Sequence, residues 1–162
     1  MNDIGLILLG AGGHALVVLE ACRLAGRRVA GLLDPALPPG SLVLGAPVLG
    51  GDERLDDPEF VAAHEWVVGS ARREVMARLA ARLEARGANT PTVIHPRAVI
   101  SPSVVLERGG FVAAGVVVQA LARVGPFTLL NTACSVDHEA VIGRGCHVAP
   151  GARILGRAAV GE

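Results

Sequence analysis

Between Val93 and Glu162 the chain places an aliphatic residue at every sixth position. Twelve consecutive positions carry one without a miss: Ile94, Ile100, Leu106, Val112, Val118, Val124, Leu130, Val136, Ile142, Val148, Ile154 and Val160. Four positions after these come only small or β-branched residues: Ala98, Val104, Gly110, Val116, Ala122, Thr128, Cys134, Ala140, Cys146, Ala152 and Ala158. A period of six fits neither an α-helix nor an amphipathic strand. It predicts a β-solenoid of short strands joined by corners.

The repeat also predicts how the solenoid is built. The aliphatic residue points inward and the small residue lets the chain turn a tight corner. Three repeats close one triangular coil, so residues eighteen apart stack at roughly 4.8 Å, the spacing of hydrogen-bonded strands. The seventy residues from Val93 to Glu162 give a little under four coils.

Composition narrows the function classes. Hydrophobic residues make up 51% of the chain but aromatic residues only 2%, which suits a core of Val, Ile, Leu and Ala. Fifteen basic and fifteen acidic residues cancel, so no basic face for nucleic acid is predicted. No apolar run reaches the roughly eighteen residues of a membrane span, and no basic region precedes the first apolar run. Three cysteines without metal-ligand spacing predict a cytoplasmic protein with no metal site.

The pattern of the first forty residues predicts a strand, a glycine loop, a helix and a second strand that ends at an acidic residue. The apolar run Ile4–Leu9 ends in Gly-Ala-Gly-Gly-His-Ala, and a second strand over Arg28–Leu33 ends at Asp34. Gly10-x-Gly12-x-x-Ala15 matches the relaxed dinucleotide fingerprint, in which glycines let backbone N–H groups approach a phosphate at a helix N-terminus. The alternatives are a glycine turn that only packs strand against helix, and an NAD site for redox chemistry.

Size favours a smaller ligand than a dinucleotide. About ninety residues precede the solenoid, which is enough for one mononucleotide half of a doubly wound sheet. We therefore expect a mononucleotide or nucleotide-sugar site. A third core strand over 66–69 and a helix over Ala71–Gly87 with a solvated arginine face complete this domain. Its predicted extent is residues 1–88, followed by a β-helix domain over 89–162.

One stretch of the solenoid concentrates polar side chains around a corner: Asn131, Asp137, His138 and Glu139. Histidine titrates near neutrality and can take a proton from a nucleophile, and a neighbouring carboxylate can fix its tautomer. Gly156 lies eighteen residues after His138, so its backbone N–H can approach a bound acyl oxygen on the same corner. From the residues alone, an exposed polar turn is an equal alternative.

The chain resembles a known family in three features taken together: the Gly-Ala-Gly-Gly-His-Ala loop, the acid that closes the second strand, and Asn-Thr…Asp-His-Glu within hexapeptide coils. It looks like a hexapeptide-repeat acyltransferase of the PglD/NeuD type, which acetylates UDP- or GDP-linked amino sugars or O-acetylates sialic acid. The resemblance covers essentially the whole chain. It implies an α/β Rossmann-like half domain followed by an all-β left-handed parallel β-helix.

The resemblance also implies a chemistry. Acetyl-CoA would donate its acetyl group by direct attack, with no acyl-enzyme and no nucleophilic cysteine. His138 would be the general base, supported by Glu139. Acetyl-CoA would be bound by His147, Gly156 and Asn131. The nucleotide sugar would be held by Gly10, Gly12, Gly13, His14 and Asp34.

Assembly and length follow from the same resemblance. Members form homotrimers with each active site between neighbouring coils. They usually continue for several coils beyond this point, whereas the sequence stops in mid-repeat at Val160-Gly161-Glu162. We therefore expect either that C-terminal coils are missing or that another chain covers the open end. Missing coils would leave the acceptor half of the site largely intact and weaken the binding of acetyl-CoA. A non-catalytic oligomeric binder of sugar nucleotides is the alternative function.

Overall fold

The computed structural model describes residues 4–161, and this part of the chain divides between Pro91 and Thr92 into two compact units. The N-terminal unit is an α/β sheet and the C-terminal unit is a parallel β-helix. The predicted fold class is confirmed.

The N-terminal unit follows the predicted strand–helix–strand order. Its elements are β1 (Leu6–Leu9), α1 (Gly13–Leu24), β2 (Val29–Leu33), β3 (Leu42–Val43), β4 (Ala46–Gly50), a 3-10 helix (Asp52–Asp56), α2 (Pro58–Ala62), β5 (Glu65–Val68) and α3 (Arg73–Ala85). The sheet order is β3-β4-β2-β1-β5, with only the β3–β4 pair antiparallel. All four residues of β1 are fully buried, as its apolar run predicts. The sheet thus places β1 between β2 and β5.

A short hairpin at the sheet edge was only partly predictable. The sequence indicates extended pieces near β3 and β4, and the structure joins them through Leu44 and Gly45, whose φ values are 46° and 77°. Positive φ at both turn residues is the requirement of a type I′ two-residue hairpin turn. The hairpin therefore adds β4 beside β2 and extends the predicted half sheet.

The arginine face of α3 is not simply solvated. Arg78 and Arg82 pair with Asp52 of the 3-10 helix, and Arg82 and Arg86 pair with Asp56. Four of the five arginines of this face are exposed, as the sequence predicts, but the ion pairs to the 3-10 helix could not be predicted because no periodicity reveals its carboxylates. The apolar face of α3 buries Met76, Leu79, Ala80 and Leu83.

The C-terminal unit consists of twelve two-residue strands. They are β6 (Val93–Ile94), β7 (Val99–Ile100), β8 (Val105–Leu106), β9 (Phe111–Val112), β10 (Val117–Val118), β11 (Arg123–Val124), β12 (Leu129–Leu130), β13 (Ser135–Val136), β14 (Val141–Ile142), β15 (His147–Val148), β16 (Arg153–Ile154) and β17 (Ala159–Val160). They form three parallel four-stranded sheets, ordered β6-β9-β12-β15, β7-β10-β13-β16 and β8-β11-β14-β17. Val117 pairs with Ser135, and Ser135 with Arg153, so the predicted stacking at eighteen residues is confirmed.

The sixfold aliphatic series forms the solenoid core. Val118, Leu130, Val136 and Ile142 in the middle coils are each at most 1% exposed. Ile94, in the first coil, is 38% exposed because a coil stacks on only one side of it. Burial of these side chains is the main apolar contribution to the stability of the unit.

The corners carry a feature that the sequence did not indicate. In nine consecutive repeats the third residue after the inward aliphatic has a left-handed backbone, with φ between 55° and 75°: Gly109, Gly115, Leu121, Phe127, Ala133, Glu139, Gly145, Gly151 and Arg157. The small residue that was expected to make the turn comes one place later and is instead packed toward the core. Five of the nine are not glycine, and each such residue in this conformation costs roughly 1–2 kcal/mol.

Leu130→Ala should destabilise the solenoid by about 2–5 kcal/mol, because it removes a fully buried side chain and leaves a cavity between stacked coils. Amide hydrogen exchange of the solenoid strands measures this loss. The matched control is Leu155→Ala, since Leu155 is 69% exposed, and a change within about 0.5 kcal/mol is expected there. Equal effects of the two substitutions would contradict the assignment of the core.

Candidate functional site

His138 lies at the corner that joins β13 to β14. It is the second residue after the inward-facing Val136 and the first of the two turn residues at this corner. Backbone bonds to the next coil fix this corner: Asp137 N–H donates to the carbonyl of Ile154 at 2.9 Å, and Arg157 N–H donates to the carbonyl of His138 at 3.0 Å. The side chain of His138 is 59% exposed, so a substrate can reach it.

Glu139 orients the imidazole of His138. The Nδ1 of His138 lies 3.0 Å from Oε2 of Glu139. Hydrogen bonds from His138 and then from Arg157 hold the pKa of the Glu139 carboxyl below its usual range, so this group is an ionised acceptor. The Nδ1 atom must therefore carry the proton, and in neutral imidazole that leaves a lone pair on Nε2. The base-capable nitrogen is the one turned away from the carboxylate.

Gly156 leaves space for the imidazole of His138. A Cβ atom at this position would lie 2.7 Å from Nε2 and 2.9 Å from Cε1 of His138. Any residue with a side chain would therefore displace the ring. The predicted proximity of Gly156 and His138, eighteen residues apart, is found in the structure.

Asn131 and His147 form a second polar pair. The Nδ2 of Asn131 lies 3.0 Å from Nε2 of His147. Because Oδ1 of Asn131 accepts the backbone N–H of Thr132 at 2.8 Å, the amide nitrogen must be the atom that faces His147. The amide donates, so Nε2 of His147 is the acceptor and its Nδ1 carries the proton. His147 thus presents an N–H donor on the other side of its ring.

The two pairs lie at different corners of the coil. Asn131 is at the start of the turn between β12 and β13, and His147 is in β15, which stacks on β12. His138 and Gly156 are at the next corner along the chain, after β13 and β16. The structure of one chain therefore brings His138, Glu139 and Gly156 together, and Asn131 and His147 together, but does not unite the two sets.

The N-terminal unit contains a cleft of about 370 Å³ at the carboxyl ends of its central strands. All five residues expected to hold the nucleotide sugar line it. The complete lining is Gly10, Gly12, Gly13, His14, Asp34, Gly69, Ser70, Ala71, Arg72 and Val75. Because β2 and β5 flank β1 on opposite sides, this is the crevice where open α/β sheets bind their ligands.

Asp34 holds the glycine loop in place. Its Oδ2 accepts the backbone N–H of Ala11 at 2.7 Å, and its Oδ1 accepts that of Ala36 at 2.8 Å. A carboxylate has about four acceptor positions, so these two bonds leave capacity for a ligand hydroxyl. Asp34 is thus a structural residue of the loop in this structure, and its contact with a ligand stays a prediction.

Some residues of these sites were missed by sequence reasoning. Gly69 to Arg72 line the cleft because they follow β5, whose place beside β1 is a tertiary fact. A Cβ at Gly69 would lie 2.9 Å from Cβ of Ala15, so this glycine allows β5 to end against the first turn of α1. Arg157 donates from Nε to Oε2 of Glu139 at 3.1 Å. The eighteen-residue register links these two residues and could have identified the pair.

The buried cysteines are unsuited to nucleophilic chemistry. Burial raises the pKa of the Cys22 thiol to about 12 and that of the Cys134 thiol to about 11. Both thiols stay protonated at neutral pH, and the thiolate is the nucleophilic form.

Within residues 4–161, no group of three His, Cys, Asp or Glu side chains is placed to hold a metal ion. No helix in the same range has the length and apolar character needed to cross a bilayer.

Comparison with known proteins agrees with this architecture. Residues 5–79 match the PglD N-terminal domain family. A mutant perosamine N-acetyltransferase from Caulobacter crescentus, in complex with CoA and GDP-perosamine, has a TM-score of 0.89 and 34% identity over 96% of this chain and 73% of that chain. The acetyltransferase domain of PglB from Neisseria gonorrhoeae, in complex with acetyl coenzyme A, has a TM-score of 0.89 and 32% identity over 98% of this chain and 76% of that chain.

A third structure supports the fold alone. WeeI from Acinetobacter baumannii has a TM-score of 0.85 at 24% identity and covers 98% of this chain. The family is shown by the two relatives above 30% identity, together with the matched N-terminal domain and the β-helix. The chain belongs to the PglD-like hexapeptide-repeat sugar acetyltransferases and is an acyltransferase.

Proposed function

We propose that this chain transfers the acetyl group of acetyl-CoA to the amino group of a nucleotide-linked amino sugar. The observation that carries the proposal is the His138–Glu139 pair, with Nδ1 bonded to the carboxylate and Nε2 turned toward Gly156. The two relatives above 30% identity support the substrate class, since one holds GDP-perosamine with CoA and the other acetyl coenzyme A.

In the proposed reaction the sugar amine attacks acetyl-CoA directly, and every bond made or broken and every proton moved is assigned to a group. The sugar amine attacks the thioester carbonyl carbon while Nε2 of His138 takes a proton from the nitrogen. The tetrahedral intermediate collapses as the C–S bond breaks, and the imidazolium returns the proton to the CoA sulfur. Glu139 stays ionised and stabilises the positive charge on His138 during this cycle. The protonated thiols of Cys22 and Cys134 support a route without an acyl-enzyme.

The remaining predicted residues divide between the two ligands. His147, with its donor Nδ1–H, and the Gly156 amide would bind the acetyl-CoA end, and Asn131 would fix the ring of His147. The glycine loop with His14 and Asp34 would hold the nucleotide, where backbone N–H groups at the start of α1 favour phosphate. Cys22, Cys134 and Cys146 form no disulfide, which supports a reaction in the reducing cytoplasm.

The separation of the two polar pairs supports a homotrimeric enzyme. Since His138 and His147 lie at different corners of one coil, a single copy cannot direct both at one thioester. Three copies packed side by side around a threefold axis would set the His138 corner of one copy opposite the His147 corner of its neighbour. Each active site would then form between two copies.

Replacing His138 with Asn should lower kcat by about 10²–10⁴-fold, because asparagine fills similar space but cannot take the proton. Acetylation of GDP-perosamine, followed by thiol release from acetyl-CoA, is the assay, with UDP-linked amino sugars and a 4-hydroxy analogue in parallel. His95→Asn is the matched control. Retained activity in His138→Asn would refute the general base, and transfer to the hydroxyl analogue alone would refute the amine acceptor.

Gly156→Ala should reduce kcat/KM at least 10-fold, because the new Cβ would lie 2.7 Å from Nε2 of His138 and move the base. A crystal structure of the variant should show the imidazole displaced with the coil unchanged. Gly161→Ala is the control, since a Cβ there meets no atom within 4 Å. Unchanged activity in Gly156→Ala would show that the ring position is not critical.

Mixing two inactive variants tests the shared site. His138→Ala and His147→Ala trimers, unfolded together and refolded at equal amounts, should recover about one quarter of the wild-type activity, because that fraction of interfaces pairs an intact His138 with an intact His147. Each variant refolded alone is the control. No recovery in refolded mixed trimers would place both residues in the site of a single copy, whereas activity of one variant refolded alone would show that its residue is dispensable.

A further inference from the structure

Glu139 and Arg157 occupy the same position in successive coils. They lie eighteen residues apart, and both have a left-handed backbone, with φ values of 60° and 63°. The backbone bond from Arg157 N–H to the carbonyl of His138 fixes one corner on the other. Their side chains therefore leave the corner in the same direction, and the solenoid ladder itself places the guanidinium beside the carboxylate.

A single carboxylate oxygen receives both neighbours. Oε2 of Glu139 accepts Nδ1–H of His138 at 3.0 Å and Nε–H of Arg157 at 3.1 Å. At an exposed corner a glutamate side chain has many rotamers, and only some of them reach Nδ1. The second bond, from a residue anchored in another coil, restricts Glu139 to the rotamer that meets His138.

We infer that Arg157 is a positioning residue that acts through Glu139 to keep His138 in its Nδ1–H tautomer, with Nε2 free as the base. The catalytic consequence rests on the proposed function, whereas the tautomer itself does not. Glu139 alone could bond Nδ1 only part of the time. The arginine raises the fraction of chains in which the base is correctly oriented before substrate arrives.

The exposure of the three groups limits the size of the effect. The side chains of Arg157 and Glu139 are 75% and 41% exposed, and that of His138 is 59% exposed. Exposed ion pairs are weak, so the expected effect of losing this one is a decrease in kcat of about 1.5- to 5-fold. A change of this size is measurable, and it should fall on kcat with KM kept within about twofold because the inference gives Arg157 no contact with substrate.

The experiment compares Arg157→Gln with Arg157→Lys in the full chain. Glutamine removes the charge, whereas lysine keeps a cation and can still reach the carboxylate. Nitrogen-15 NMR of the imidazole rings, at a pH where they are neutral and without ligand, reports which ring nitrogen of His138 carries the proton. His138→Asn assigns the signal, and Arg153→Gln is the control for the loss of one positive charge from the same coil.

The Nε2–H fraction of His138 should rise in Arg157→Gln and return toward the wild-type value in Arg157→Lys, with Arg153→Gln unchanged. An unchanged tautomer ratio in folded Arg157→Gln would overturn the inference, as would an equal change in Arg153→Gln. A change in KM with an unaltered tautomer would make Arg157 a substrate contact instead. A further outcome is that the tautomer ratio changes as expected while neither the wild-type protein nor any variant transfers acetyl groups. In that case the positioning role of Arg157 stands and the proposed function fails.

Discussion

The parallel ladder between residues eighteen apart is the constraint on which the solenoid and its polar corner depend. The strands of each coil pair with those of the coils before and after it, so an inward side chain is buried mainly by its equivalents in those coils. The same ladder sets His138 under Gly156 and Glu139 beside Arg157. The eighteen-residue register between coils therefore determines the main neighbours of a corner residue, as it does for a core residue.

Two kinds of preorganisation meet in this chain. In the solenoid, side chains at a corner orient one another: the carboxylate of Glu139 selects the tautomer of His138, and the amide of Asn131 selects that of His147. In the N-terminal unit a side chain orients the backbone, since Asp34 bonds the N–H of Ala11 at the glycine loop. Both arrangements are established before a ligand binds, so the protein does not have to reorganise these groups during the reaction.

Periodicity made most of the fold predictable. Twelve inward positions, the stacking interval and the strand–loop–helix–strand start follow from local pattern alone, because each depends on a repeat or on a contiguous apolar run. The proximity of Gly156 to His138 followed for the same reason. The left-handed corners did not, since Leu121 and Phe127 hold a conformation that their residue types disfavour and the coil imposes. The lining of the cleft by Gly69 to Arg72 and the pairing of Arg78 with Asp52 depend on tertiary contacts that no spacing encodes.

The left-handed corners have a consequence for how such a chain can diversify. Five of the nine corner positions carry a side chain larger than hydrogen, and four of these residues, Leu121, Ala133, Glu139 and Arg157, are exposed, whereas Phe127 is buried. The core series is confined to aliphatic residues by packing, but the corner series is not, as Leu121, Glu139 and Arg157 show. Exchange of an exposed corner side chain alters the outer surface while the inward aliphatic contacts are retained. Evolution can therefore revise the reactive edge of this enzyme and its foldability as nearly independent traits.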